Sequence, residues 1–278
     1  MRTLLASIAA AVFCGSPASA DEALDCVLDP SVVVKVGTPV PGQLSQVLVQ
    51  RGARVEPDQP VARLQSSVES ATVELARAQA QSRTEITAQE ARVALSRKKV
   101  ERAKRLISTN VVAQQDMDTL EAELRISEQD LARLFEMHRF QQLDLARASA
   151  ALAVRSIKSP IRGIVIEKAL SGGEYVGEAS HVVTIAAVDP LYVETFAPIS
   201  LYGRIHEGET ATIQTEAPLE GTHQATVLVV DKVFDAASST FGIRLSLPNP
   251  RGDIPAGLKC KVSFRAKAVR NASGGKRR

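Results

Sequence analysis

The 278-residue chain has no tryptophan, and aromatic residues make up only 4% of it, which argues against one large aromatic core and for thin β modules and alanine-rich helices. It also lacks a long apolar run. Residues 4–13 are the nearest approach, well short of the roughly 20 needed to span a bilayer. The four histidines, His138, His181, His206 and His223, are scattered, and no HExxH, CxxC or Walker pattern is present. No catalytic residue, metal ligand or cofactor is therefore expected, and the chain does not read as an enzyme. The net charge of +3 is close to balance and no basic stripe interleaves with aromatics, so nucleic acid is excluded as a partner. Past the first twenty residues only Met117 and Met137 remain, at helical spacing that suits packing better than copper or silver ligation.

What is present begins with a leader. Arg2, the apolar residues 4–13 and "SPASA" ending at Ala20 give the charged start, short apolar middle and A-x-A site of a secretory signal over residues 1–20. The mature chain is then expected to start at Asp21, outside the cytoplasm and without an anchor. Cys14 offers a lipoprotein alternative, but Phe13 stands where a small residue is wanted.

The central feature is a repeat. "TPVPGQLSQVLVQRGARVEPDQPVARL", from Thr38, matches "SPIRGIVIEKALSGGEYVGEASHVVTI", from Ser159, with Pro39 over Pro160, Gly42 over Gly163, Gly52 over Gly173, Val55 over Val176, Val61 over Val182 and Leu64 over Ile185. Every pair is 121 positions apart. Apolar residues alternate between glycines, as short strands joined by tight turns require, so Gly42, Gly52, Gly163 and Gly173 are expected to be turn formers. Neither copy is long enough to bury a core alone, whereas two facing copies are.

Residues 66–155, between the copies, contain no glycine and no proline. Their Ala, Glu, Arg, Gln and Leu content is helical on propensity. Ile86, Val93, Val100 and Ile107 recur every seven residues, and Met117, Leu120, Leu124, Leu131, Leu134, Leu145 and Leu152 carry a similar stripe. A single helix of that length would separate the copies by about 130 Å, so it must fold back, and residues 108–115 are where it would turn. From Leu191 onward five short alternating segments separated by Gly, Pro or Asn read as a small barrel.

The fold expected is therefore mixed α and β and elongated: a split β-sandwich of two similar halves with an inserted antiparallel α-helical coiled-coil hairpin, followed by a small β-barrel. The expected divisions are 31–65 and 156–188 for the sandwich halves, 66–155 for the hairpin, 189–268 for the barrel and 269–278 for a polar tail. Residues 21–30 read as loosely patterned.

These stretches, together with "TFGIRLSLPNPRGDIPAGLKCKVSF", resemble the periplasmic adaptor, or membrane fusion protein, family of tripartite efflux and type I secretion machines. The resemblance implies that the split sandwich is biotinyl/lipoyl-like, and that the chain is an adaptor that links an inner-membrane transporter to an outer-membrane channel protein and self-associates in the assembled complex, as a hexamer in the family. In the family the hairpin tip that meets the outer-membrane duct shows Arg, four residues on Leu, then seven on Ser. Arg102 and Leu106 match, while Ala113 stands in place of the Ser. The membrane-proximal domain that serves resistance-nodulation-division pumps has little chain left to build it. Two rivals remain: a biotin or lipoate carrier, which needs a Lys at the turn the hairpin replaces, and a coiled-coil envelope scaffold without a transport role. Cys26 and Cys260 permit one disulfide in an oxidising compartment, or two separately buried thiols.

Overall fold

The structure is a computed structural model, and it describes residues 23–107 and 113–264. Twelve strands and three α-helices follow in order among these residues: β1 (Leu24–Gly37), β2 (Gly42–Val47), β3 (Arg54–Val55), β4 (Pro60–Leu64), α1 (Ser67–Gln81), α2 (Thr84–Ile107), α3 (Gln114–Ala153), β5 (Ser156–Lys158), β6 (Gly163–Lys168), β7 (Tyr175–Val176), β8 (His181–Pro198), β9 (Thr210–Thr215), β10 (Gly221–Val230), β11 (Thr240–Leu247) and β12 (Lys259–Phe264). Two compact units divide the chain, Val34–Ile185 and the remainder.

In the first unit the repeat becomes a pair of interlocked half-sandwiches. β2, β3 and β4 fall on the same repeat positions as β6, β7 and the start of β8. The copies then exchange partners: Gly42 on β2 pairs with Val176 on β7, and Val55 on β3 pairs with Gly163 on β6. The backbone hydrogen bonds obey the same rule. Leu44 N–H donates to Glu174 C=O at 2.8 Å and Gly173 N–H to Leu44 C=O at 2.7 Å, while Val165 N–H donates to Ala53 C=O at 2.9 Å and Gly52 N–H to Val165 C=O at 2.7 Å. The apolar repeat residues Val55, Val61, Leu64, Val176, Val182 and Ile185 all enter one shared core. Each copy thus supplies half the hydrogen bonds and half the core of the other, and neither half can be built without its counterpart.

The hairpin leaves this sandwich at α1 and returns at α3. Its base is tied by the Arg155 Nη2–Glu69 Oε1 ion pair at 2.6 Å, partly buried on both sides, and by Leu64 N–H donating to Arg155 C=O at 2.8 Å. The outgoing arm differs from the single helix expected. It breaks at Ser82, whose backbone is extended (φ −72°, ψ 120°), and restarts at Thr84. The reason is written in the heptads: buried Val73 and Ala80 are seven apart, as are Ile86, Val93 and Val100, but Ala80 and Ile86 are only six apart. An unbroken helix would swing the second stripe about 100° away from α3, and the extended residue absorbs the missing position. Val73 and Ala76 pack with Ala148, and Val100 and Ala103 with Met117. Residues 108–112 of the expected turn lie outside the described residues. Gln114 and Gln115 belong to α3 rather than to the turn.

In the second unit the strands run β1-β12-β9-β10-β11-β8, and β1 also pairs with β8. The Thr195 hydroxyl on β8 donates to the Asp25 carbonyl on β1 at 2.8 Å. Alternation sets the inward face: Phe241, Ile243, Leu245 and Leu247 on β11 are buried with Leu191 and Val193 on β8. Two expectations are corrected here. Residues 24–30, read as loosely patterned, are strand, with Leu24, Cys26 and Leu28 buried between exposed Asp25, Val27 and Asp29. The barrel accordingly has a sixth strand, contributed from before the sandwich, because β12 would otherwise leave an unpaired edge on that side. The buried Asn249 amide closes the β11–β12 loop, donating to the carbonyls of Val188 (3.0 Å) and Ile254 (2.8 Å) and accepting from Ile254 N–H (3.2 Å).

Candidate functional site

The end of the hairpin is organised by α2 closing on α3. Val100, Ala103 and Met117 form a buried layer, with Leu120 and Leu124 packed against it. Two ion pairs bridge the arms outside that seam, Arg97 Nη2–Glu128 Oε1 at 2.9 Å and Lys104 Nζ–Glu121 Oε1 at 3.3 Å, all four side chains at least a third exposed. Exposed pairs of this kind fix the relative azimuth of two helices more than they stabilise them, each contributing under about 1 kcal/mol.

Arg102 and Leu106 lie one turn apart on α2, beside the buried Ala103 position, and both are exposed. The Arg102 Nε donates to the Lys98 carbonyl at 3.3 Å, so the guanidinium lies along its own helix. Lys104 and Arg105 occupy the last turn of α2, where cations complement the helix dipole. Ala113 is the N-cap residue of α3, with an extended backbone (φ −72°, ψ 147°) and no side-chain cap. Its carbonyl accepts from Asp116 N–H at 3.2 Å and Met117 N–H at 3.3 Å. A serine here would add a hydroxyl acceptor for the free amides of the first turn; alanine cannot.

The turn glycines separate into two kinds. Gly52 (φ 86°) and Gly173 (φ 91°) hold left-handed backbone in equivalent turns, closed by Ala53 N–H to Gln50 C=O (3.0 Å) and Glu174 N–H to Ser171 C=O (3.3 Å). Gly42 and Gly163 are not in turns, contrary to expectation, but open β2 and β6. A Cβ on Gly42 would sit 3.0 Å from Arg155 Nη1, the end of a flexible side chain, and Gly163 is buried where it pairs with Val55.

Cys26 and Cys260 face each other across the β1–β12 pairing, with Cα atoms 4.9 Å apart and the sulfurs joined at 2.12 Å. Among the described residues no group of three or more His, Cys, Asp or Glu side chains is placed to share a metal ion, and no helix is long and apolar enough to cross a membrane. Two groups have shifted titrations. The Ser238 hydroxyl, then the Ala237 amide, hold Asp235 below the ordinary carboxyl value, and the Glu194 carboxylate holds Arg244 above the ordinary guanidinium value. Asp235 and Ser238 organise the turn between β10 and β11, a feature that an Asp three residues ahead of a Ser hinted at in the sequence.

Comparison with known proteins places this architecture. The CzcB-like barrel-sandwich hybrid domain matches residues 32–187, more than half of the chain, and the CusB-like β-barrel domain matches residues 190–268. The cobalt-zinc-cadmium resistance protein CzcB of Cupriavidus metallidurans is 25% identical over 169 residues, covering 61% of this chain and 32% of that protein. The macrolide export protein MacA of Escherichia coli O157:H7 is 28% identical over 261 residues, covering 88% of this chain and 67% of that one. The chain thus spans about a third of the length of the first relative and two thirds of the second. The crystal structure of MacA from Actinobacillus actinomycetemcomitans superposes with a TM-score of 0.69 at 17% identity, over 87% of this chain and 78% of that one. With its sandwich, inserted hairpin and barrel all accounted for, the chain belongs to the CzcB-like barrel-sandwich hybrid family of membrane fusion, or periplasmic adaptor, proteins.

Proposed function

We propose that this chain is the adaptor subunit of a tripartite export complex, joining an inner-membrane transporter to an outer-membrane channel protein, and that it carries neither catalytic activity nor a bound cofactor. The observation that supports this reading is the hairpin's placement: both of its feet are anchored in one interlocked sandwich, where a carrier domain would expose a lysine. A rod fixed at its base transmits position and force to its far end, and covalent chemistry is not needed for that. The surface proposed to meet the duct is the hairpin end bearing Arg102, Leu106 and Ala113. Residues 1–20 would direct export to the periplasm and be removed there. The divisions at 31–65, 66–155, 156–188 and 189–268 are the proposed working modules, with β1 lending its first residues to the barrel. Several copies would assemble around the transporter, six by analogy with the family.

The test is genetic and biochemical together. A deletion strain should accumulate the exported compound, and Arg102→Asp should fail to restore export at normal protein level, because an exposed reversal near a helix end shifts stability by no more than about 0.5 kcal/mol. Crosslinking in cells should recover a transporter and a channel. Unchanged accumulation in the deletion strain would instead favour a coiled-coil scaffold without a transport role.

A further inference from the structure

The break in the outgoing arm borders a cavity of about 150 Å³, lined by Ser82, Glu85 and Ile86 on one side and by Leu134, Met137, His138 and Gln141 of α3 on the other. His138 Nδ1 is buried there without a hydrogen-bond partner. Its Nε2 lies 3.1 Å from the Gln142 amide nitrogen one turn along α3. An amide nitrogen can only donate, so the neutral imidazole accepts at Nε2 and carries its proton on Nδ1. A buried donor therefore sits unpaired beside three side chains that could accept from it, the Ser82 hydroxyl, the Gln141 amide oxygen and the Glu85 carboxylate, of which only the last carries a charge that responds to the imidazole's. Glu85 is the other ionisable residue lining the cavity, in the exposed first turn of α2. On α3, the neighbouring charges Glu136 and Arg139 are turned toward each other at 4.0 Å.

We propose that Glu85 and His138 form a proton-controlled latch across the break in the hairpin. A side-chain rotation brings the Glu85 carboxylate into the cavity, where it accepts from Nδ1–H and ties the first turn of α2 to α3. With the imidazole neutral, this is a single hydrogen bond in competition with water. Protonation leaves the Nδ1–H donor in place and adds a positive charge beside the carboxylate, turning a bond with one ionised partner into a hydrogen-bonded ion pair, while the Gln142 amide turns its oxygen toward the new Nε2–H. The latch is thus strong where the imidazole is protonated and weak where it is neutral. The bend between α1 and α2, already permitted by the extended backbone at Ser82, is free in neutral surroundings and held in acidic ones. The inference concerns the arm itself and stands independently of what the hairpin docks on.

The experiment uses nitroxides at Val68→Cys on α1 and Leu95→Cys on α2, both exposed positions, with the Cys26–Cys260 bridge left oxidised. The distance distribution between them should be narrower at about pH 5.5 than at about pH 8, and the protection of the Thr87 amide, which donates to Arg83 C=O just past the break, should rise at least about threefold over the same interval. Both responses should vanish in Glu85→Gln, an exposed and conservative change, and in His138→Gln. A distribution in the unmodified arm that ignores pH, or a pH response that persists in either variant, would overturn the proposal.

Discussion

The interlocked repeat makes a quantitative prediction about two glycines 121 positions apart. Gly52 and Gly173 hold φ values of 86° and 91°, and a Cβ built on either meets no atom within 4 Å. Replacing either with alanine therefore adds no clash and removes no contact. What remains is the cost of holding an L-residue in left-handed backbone, about 1–2 kcal/mol, with any loss of unfolded-state freedom offsetting a few tenths of it. Both amides also donate across to the opposite copy at 2.7 Å, and those bonds survive the substitution. Gly52→Ala and Gly173→Ala should consequently destabilise the sandwich by equal amounts, and the double variant by their sum to within about 0.5 kcal/mol. Native-state hydrogen exchange of the Leu44 and Val165 amides reads the effect in both halves at once, because each bonds to the turn of the other copy. If one substitution cost more than about 1 kcal/mol above the other, or lowered protection only in the half it occupies, the halves would not be the mutually dependent pair described above.

Ala113→Ser should stabilise the start of α3 by about 1 kcal/mol, seen as a raised melting temperature and greater protection of the Asp116 amide, since the position is an N-cap without a side-chain acceptor. Reducing the Cys26–Cys260 bridge, which spans 234 positions, should cost the barrel no more than about 5 kcal/mol; alkylation of unreduced protein followed by intact-mass measurement should find no free thiol at either site, and two alkyl groups would refute the bridge. Asp235 titrates below the ordinary 3.8 because Ser238 and Ala237 bond its ionised form, so its contribution to the β10–β11 turn is present above that value and lost as the pH falls through the lower folded one. Carboxyl titration by NMR in Ser238→Ala should move its midpoint back upward.

Several features were determined by the sequence alone. The 121-position repeat fixed which residues would be equivalent, and β2, β3 and β4 indeed coincide with β6, β7 and the start of β8, because side-chain alternation and turn glycines are local constraints. The absence of glycine and proline from residues 66–155 left helix as the default, and the heptad stripes named the buried seam. The six-residue step from Ala80 to Ile86 was equally present in the sequence and marks the break. Other features were decided only by the tertiary structure. Backbone hydrogen bonds carry no record of which strand they join, so the cross-pairing of Gly42 with Val176 and of Val55 with Gly163 could not be read from the residues. Leu24, Cys26 and Leu28 passed as loose patterning, because three alternating apolar residues make a strand only where a sheet has an edge to receive them, here beside β12. Likewise Gly42 and Gly163 looked like their turn-forming counterparts, because a glycine in a strand and one needed for positive φ are the same letter; the structure tells them apart by the positive φ of Gly52 and Gly173 and the strand positions of Gly42 and Gly163.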